Sequence, residues 1–512
     1  MSELSGPIAR RKVETTYRLI GSQCEECGRK YFPPKEFCGF EGRKSRMKEI
    51  SFFDDLGEIV SGSTIRETTK KFSRLVPYVS VITSFDGIRI PGRLTDLDPN
   101  ETNKEFDISK YIGRKVFPVF RRIYEQPGGI ITYSSLNFVD QEYHKFVKNE
   151  PILEQVLSQE TGIVGYGVYI PRFRLKVSEI AKRYGKDPVV YEKGLGLIEK
   201  AVVNLDEDSV TMAVEAGRRA LVHSGLRRDE IKEVYAGSES NPYAVKPIMA
   251  SVIEALGLGD RFKGGYSAGG VDSEFACKAA TALFKAGISI TNDPRTGIEN
   301  CMVIGTDNSQ AQPGDDLDYS VGAGAAAFIF GKKGVIAKIK KCVSYTTDTA
   351  DFYRRDLQPF PRHEDRFTGE PAYFKHVVSC GELLLQKTGL KPKDIDYAVF
   401  HQPNSKFPER AATILGFSNE QIAPSQKVNM IGNTYSASCL IGLAGVLDVA
   451  EPGDKIFMVS YGSGAGSDGY LIEVEKDILE KRERGIKVDS QIKSDKKIYV
   501  DYDFYRKSKG NI

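Results

Sequence analysis

From Thr161 onward the chain alternates short apolar runs with longer stretches of helical period, and after about residue 335 it starts the alternation again. Buried strands of this kind need a helix layer against them, so the pattern requires an α/β sheet rather than a sandwich or a helix bundle. In the first round, Gly162-Ile163-Val164-Gly165-Tyr166-Gly167-Val168-Tyr169-Ile170-Pro171 reads as strand and turn. Asp208 or Ser209 caps a helix carrying Val210, Ala213, Val214, Ala220 and Leu221 on one stripe, which stops near Gly225. Glu233–Ser238, Cys301–Gly305 and Ala325–Gly331 read as further strands. In the second round, Ala398-Val399-Phe400 runs into His401. A helix starts near Ser436, and Lys455–Ser460 meets a Gly-rich turn before Tyr470–Val474. The two rounds, 161–335 and 336–475, make a duplicated α/β fold; a TIM barrel would need eight such repeats.

Open α/β sheets place their sites at the C-terminal ends of strands and at helix starts. Five stretches there carry chemistry. Glu239, in Gly237-Ser238-Glu239-Ser240-Asn241-Pro242, follows a strand directly; in an apolar cleft its pKa would rise and it could move a proton. A solvated turn glutamate is the alternative. Cys277, in Glu274-Phe275-Ala276-Cys277-Lys278-Ala279-Ala280, precedes an Ala-rich helix whose dipole favours thiolate; a small core cysteine is the alternative. His401 ends a strand and could donate to a carbonyl oxygen, or be structural. Asn433 reads first as the N-cap of the helix that follows, and an amide there could also donate to an oxyanion. The loop Tyr461-Gly462-Ser463-Gly464-Ala465-Gly466-Ser467-Asp468-Gly469 joins two strands without the helix and lysine of a Walker loop, so it lets backbone approach a ligand instead. Arg366-Phe367-Thr368-Gly369-Glu370-Pro371 is a surface loop or a cover over an acyl chain.

Before Thr161 the pattern is β-rich. Gly57-Glu58-Ile59-Val60, Tyr78–Ile82, the hairpin signal Asp86-Gly87, and Gly128-Gly129 before Ile130–Tyr133 predict a small barrel over 49–140. Residues 1–48 hold a basic arm and then GSQCEECGRKYFPPKEFCGFEG. Cys24 and Cys27 form a C-x-x-C knuckle and Cys38 follows. A zinc ribbon would add a thiolate three residues later, where Glu41 stands as a candidate fourth ligand; a ribbon without metal is the alternative. Three of the eight cysteines crowd there and the rest are dispersed, which suits a metal knuckle and free thiols in a reducing compartment. Residues 141–160 read as a helical linker. The tail 476–512 is charged, with Tyr499, Tyr502, Phe504 and Tyr505 expected to dock on the N-terminal module or a partner subunit. A net charge of +3 argues against nucleic acid, and the lack of a signal core or membrane-length apolar run argues against a membrane; the cytoplasm is expected.

The motifs GSESNPYAVKP, EFACKA, RFTGEPAYFKH, FHQPN, GNTYSAS and YGSGAGSDG, in this order, resemble the thiolase superfamily and within it the archaeal hydroxymethylglutaryl-CoA synthases. The likeness covers about residues 161–475 and implies a five-layer αβαβα fold. It implies that Cys277 carries an acyl group, that Glu239 is the general acid/base, and that His401 and Asn433 face the acceptor carbonyl. Ser463 would line the acyl site; Lys406 and Arg410 would meet coenzyme A, with Arg366 and Thr368 as further candidates for that pocket. Residues 15–140 resemble the rubredoxin-like ribbon plus OB-fold module that accompanies acyl-CoA condensing enzymes, where it holds coenzyme A or bridges two enzymes. The implied substrates are acetyl-CoA and a 3-oxoacyl-CoA acceptor, in the setting of mevalonate and isoprenoid synthesis. No catalytic cofactor is implied; structural zinc in the ribbon, a homodimer and an acetoacetyl-CoA thiolase partner are. A thiolase would carry a second cysteine in the last Gly-rich loop, where this chain has Ser463. The rival readings are a sister Claisen enzyme with another acceptor and a coenzyme A-binding scaffold.

Overall fold

The computed structural model describes residues 15–102, 106–125, 131–142, 147–152, 155, 157–349, 351–355, 357–363 and 368–510. The chain divides into two compact units: Met1–Asn149 with Asn204–Glu207 and Glu254–Gly257, and the remainder.

The first unit opens on a three-stranded antiparallel ribbon of Ile20–Cys24, Lys30–Tyr31 and Met47–Ser51. A closed barrel follows, built from Gly57–Ile65, Tyr78–Phe85, Ile88–Leu94, Lys115–Pro118 and Asn137–Asp140. Taken in chain order, the strands neighbour one another as first-second-third-fifth-fourth, and the third and fifth run parallel, which is the connectivity of an OB barrel. Alternation does what period 2 requires: Val79, Val81, Thr83 and Phe85 point inward onto Ile59, Ile90, Val116 and Phe138. Asp86 and Gly87 both take positive φ, 47° and 83°, as a tight hairpin turn demands. Gly128, Gly129 and Ile130 lie outside the described residues.

The second unit is organised by a nine-stranded sheet, labelled β1 to β9 in chain order. These are Leu157–Tyr169, Ile231–Gly237, Gly269–Ser273, Asn300–Asn308, Ala323–Lys333, Ala337–Thr346, Tyr397–Phe400, Lys455–Val459 and Gly466–Val474. Their spatial order is β3-β2-β4-β5-β1-β6-β9-β8-β7. Two identical runs are visible. The order β2-β4-β5-β1 recurs as β7-β8-β9-β6, with the same parallel first pair and antiparallel later pairs. Only β3, on the outer edge beside β2, has no counterpart among the described residues. The glycine-rich stretch LGLGDRFKGGYSAGGVDSEF supplies this strand, together with a small hairpin at Arg261–Phe262 and Gly265–Tyr266.

The helices repeat too. We label Ser209–Ser224 α1, Ala279–Asn292 α2, Phe374–Thr388 α3, Lys406–Leu415 α4, Ser438–Leu447 α5 and Tyr502–Ser508 α6. Helix α1 starts as the sequence predicts: the Asp208 carboxylate accepts from the Thr211 amide at 3.0 Å, and Gly225 ends the helix at φ 68°. Helix α5, SCLIGLAGVL, is apolar on every side and buried at every position, as a central helix between layers must be. Helix α2 stands before β4 as α5 stands before β8.

Two expectations are corrected. Leu157–Glu160 begin β1, and the described residues of 141–160 contain no helix, because this stretch can pair with Lys333 on β5. The tail docks on the second unit itself. Ile498–Tyr499 pair in parallel with Phe173–Lys176, and the Tyr502 and Tyr505 hydroxyls donate to Asp318 at 2.6 and 3.0 Å. A buried carboxylate there needs donors, and the tail tyrosines provide them. Among the described residues no helix is long and apolar enough to cross a membrane.

Candidate active site

Strand β2 ends at Gly237, and a Cβ there would lie 2.4 Å from the Ala280 amide nitrogen. Only glycine lets the strand end meet the start of α2 so closely, and this approach brings Glu239 to Cys277. Cys277 is buried two residues before α2, packed with Ala311, Val321 and Tyr435, with the Glu239 carboxyl near enough to act on its thiol. The residue before it, Ala276, holds φ 41°, and Tyr435 across the site holds φ 45°. Left-handed backbone at a residue with a Cβ costs about 1–3 kcal/mol. Two such residues beside one sulfur indicate a geometry kept for use.

The electrostatics differ from the dipole argument. Burial, then the Glu239 carboxyl, pushes the Cys277 thiol well above its ordinary value. Burial, then the Asp307 charge, pushes Glu239 up to about 8. The helix end therefore does not leave a resting thiolate; the pair holds its protons at neutral pH, and one must leave before sulfur can attack. Glu239 Oε1 is buried with no hydrogen-bond partner among the described residues.

The second round places His401 where the first places Glu239. It follows β7, buried at 1%, with its amide donating to Val459 O at 3.1 Å and its carbonyl accepting from the Tyr373 hydroxyl at 2.7 Å. Its ring Nδ1 has no partner among the described residues, and burial pushes its pKa down to about 3, so the imidazole is neutral. Asn433 likewise precedes α5 as Cys277 precedes α2. Its carbonyl accepts from Gly322 N at 2.8 Å and Ser309 Oγ at 2.9 Å; its Oδ1 accepts from Tyr435 N at 3.0 Å. With Oδ1 engaged, the side-chain amide is left as a donor. Asn433 thus closes a local turn onto the Tyr435 amide and does not cap α5, which starts at Ser438 after the short turn Tyr435–Ala437.

The loop of Ser463 is fitted to the nucleophile by glycine. A Cβ on Gly462 would lie 2.5 Å from the Phe275 carbonyl oxygen. Ser463 lies between two anchored neighbours: the Tyr461 hydroxyl donates to Asp351 at 2.6 Å, and Gly464 N donates to the same carboxylate at 2.9 Å. Thr368 Oγ1 reaches the Asp351 carbonyl at 3.1 Å. Asp468, in β9 just after the loop, holds Lys278 and Lys285 at 2.7 Å each. A small cleft of about 200 Å³ opens beside these groups, walled by Ser238, Glu239, Ala276, Phe352, Arg354 and Tyr435. It is below the usual size of a site for a whole drug-sized ligand, roughly 300–1,000 Å³, and suits a short acyl group.

Lys406 and Arg410 do not join this set. Both are exposed on α4, Lys406 beside Glu409 at 3.4 Å and Arg410 paired with Glu370 over the Phe374 ring. Arg366 lies outside the described residues. Asp307, Asp351 and Arg354 were not singled out from the sequence. Asp307 ends β4 and is the hub: its Oδ1 accepts from Ser238 Oγ, Glu239 N and Ser240 Oγ at 2.7–2.9 Å, and its Oδ2 from Ser436 N at 2.9 Å. Its place at a strand end was the available signal; Arg354, in an exposed loop, offered none.

In the ribbon, the sulfurs of Cys24, Cys27 and Cys38 converge within 4.8 Å of one another. Glu41 is not in that group: the chain turns back through Gly42 N to Cys38 O at 2.9 Å, so Glu41 offers its amide, not its carboxylate, to the Cys38 sulfur. Burial raises Cys38, but the Tyr31 hydroxyl and the Glu41 and Phe40 amides bring it down to about 6. Burial pushes Cys24 up to about 12.

Comparison with known proteins agrees with this geometry. Residues 385–474 match the family described as 3-oxoacyl-[acyl-carrier-protein] synthase III C terminal, and residues 11–40 match ChsH2, rubredoxin-like zinc ribbon domain. Over 351 residues the chain is 50% identical to the hydroxymethylglutaryl-CoA synthase of Methanobrevibacter smithii, covering 69% of this chain and 99% of that protein. Identity, length and coverage are the same against the Archaeoglobus fulgidus synthase. Among solved structures, MvaS in complex with 3-hydroxy-3-methylglutaryl coenzyme A superposes with a TM-score of 0.61 at 21% identity, over 68% of this chain and 91% of that one. The 3-oxoacyl-(acyl carrier protein) synthase III of Pseudomonas aeruginosa gives 0.55 at 17%, over 62% and 99%. These structures share the thiolase-like α/β fold.

Proposed function

The chain belongs to the hydroxymethylglutaryl-CoA synthase family of acyl-transferring, carbon–carbon bond-forming enzymes, and from that premise we propose that it condenses acetyl-CoA with acetoacetyl-CoA through an acyl thioester on Cys277. The observation that carries the reading is the buried Glu239 carboxyl set beside the buried Cys277 thiol ahead of α2, each raising or lowering the other's hold on its proton.

Ionised Glu239 takes the thiol proton as Sγ attacks the acetyl thioester, and returns it to the departing coenzyme A sulfur. Glu239 then removes a proton from the methyl group of acetyl–Cys277. The carbanion attacks the ketone carbon of acetoacetyl-CoA. Neutral His401 and the Asn433 amide donate to the oxygen on which charge develops, and the alkoxide takes the proton from Glu239. A low imidazole pKa keeps His401 a neutral donor throughout, as burial dictates. Water finally cleaves the thioester to Cys277. The test is peptide mass spectrometry after mixing with acetyl-CoA. An acetyl group on Cys277, absent in Cys277→Ala, supports the reading, and an acetyl group elsewhere or nowhere refutes it. Release of free thiol with another acceptor but not with acetoacetyl-CoA would refute the substrate alone.

Structural zinc held by Cys24, Cys27 and Cys38 belongs to the same reading, since three convergent sulfurs suit a soft divalent ion. The family's homodimer is proposed on the edge strand β3, where Val271 is 56% exposed; mass by light scattering tests it.

A further inference from the structure

The last step of the reaction creates a charge that the substrates lack. Water oxygen bonds to the acyl carbon and the C–S bond breaks, its electron pair going to Sγ. One water proton goes to that sulfur; the other leaves through Glu239 to solvent. A carboxylate remains beside Glu239 and Asp307, which are acidic groups. A negative product held among acids needs a cation to lie against.

The cleft supplies one. Arg354 stands in its wall with Glu239, Ala276 and Tyr435. The guanidinium is exposed but not loose: Nη1 donates to Gln310 Oε1 at 2.9 Å. Gln310 is itself tied to the site, its carbonyl accepting from the Tyr435 hydroxyl at 2.9 Å. The arm that carries Arg354 is fixed from both strands, since Phe352–Tyr353 pair with Arg362–His363, and His363 Nε2 meets Asp315 Oδ1 at 2.9 Å. Nε and Nη2 of Arg354 have no carboxylate partner among the described residues, and the group is near enough for its charge to act on Glu239. A planar fork with one arm pinned and the rest open to a cleft is the donor set that a carboxylate accepts from.

We propose that Arg354 receives the carboxylate freed from Cys277 and thereby selects for acyl-CoA products that carry one. This rests on the acyl-Cys277 reading above. The test is calorimetric titration of the full chain with 3-hydroxy-3-methylglutaryl-CoA, which has the carboxylate, and with acetoacetyl-CoA, which lacks it. Arg354→Gln should weaken the first relative to the second by roughly 10- to 100-fold, the range for a lost charged hydrogen bond. Arg354→Lys should recover part of that ratio, because charge remains while the fork is lost. A ratio within about twofold of wild type in Arg354→Gln overturns the proposal, as does an equal weakening of both ligands, which would place Arg354 on the shared coenzyme A portion. Absence of acetyl transfer to wild-type Cys277, read separately by mass spectrometry, would sink the functional reading and not the binding ratio.

Discussion

The two rounds of the second unit share a strand order and helix placement but not a chemistry. After β2 the first round puts Glu239, and after β7 the second puts His401. Before α2 the first puts Cys277, and before α5 the second puts Asn433. A duplicated backbone thus presents four side chains from corresponding strand ends and helix approaches, at different offsets: Cys277 lies two residues before α2 and Asn433 five before α5. In the proposed mechanism the first pair exchanges protons and bonds, and the second pair is neutral and only donates. Burial alone accounts for much of the split, since it raises an acid into the working range, holds a thiol protonated and strips a histidine of its charge.

That contrast can be broken from either side. Cys277→Ala should remove the acyl adduct and lower condensation by about 10⁴-fold or more, measured as thiol release. His401→Ala and Asn433→Ala should behave differently. Acetyl transfer to Cys277 should persist, while condensation falls by about 10²–10³-fold, the scale of a lost oxyanion donor. Loss of the adduct in either variant would erase the division between the pairs. Asp307→Asn sharpens it more gently. Removing that charge takes away a cause that raises Glu239, so the pH at which activity is half-developed should move down from about 8. An upward move would contradict the assignment, since it would mean the hydrogen bonds from Ser238, Glu239 and Ser240 outweigh the charge. The smallest effect is expected in the other unit. Cys38→Ser should lower bound zinc, read by elemental analysis, and change the condensation rate by no more than about twofold, because its sulfur takes no part in the chemistry.

The sequence made the alternation, its repetition and the four side chains legible, because each is a local pattern: apolar period, turn residues, a polar group at a strand end. The OB-type barrel was legible for the same reason, from alternation in Tyr78–Phe85 and the Asp86-Gly87 turn. What stayed hidden depends on partners far apart in the chain. Asp307 matters because Glu239 and Ser436 lie 68 and 129 residues away from it. The tail tyrosines looked like groups awaiting another surface until Asp318 was found beneath them. The thiolate expectation for Cys277 followed from a helix end and could not include the carboxyls that burial places beside it. Glu41 was proposed by spacing, whereas the turn at Gly42 decides which of its atoms faces the sulfur.

The central claim is that Glu239 is the proton acceptor that makes Cys277 a nucleophile. The direct measurement is the rate of acetyl transfer to Cys277, followed by mass spectrometry across pH, in wild type and in Glu239→Gln. In wild type the rate should rise with pH and reach half its maximum near pH 8, because the acceptor is the ionised form of a carboxyl raised to about 8. In Glu239→Gln it should be lower by about 10²–10⁴-fold and should lose that rise. Equal rates in the two proteins, with the same pH dependence, would contradict the account.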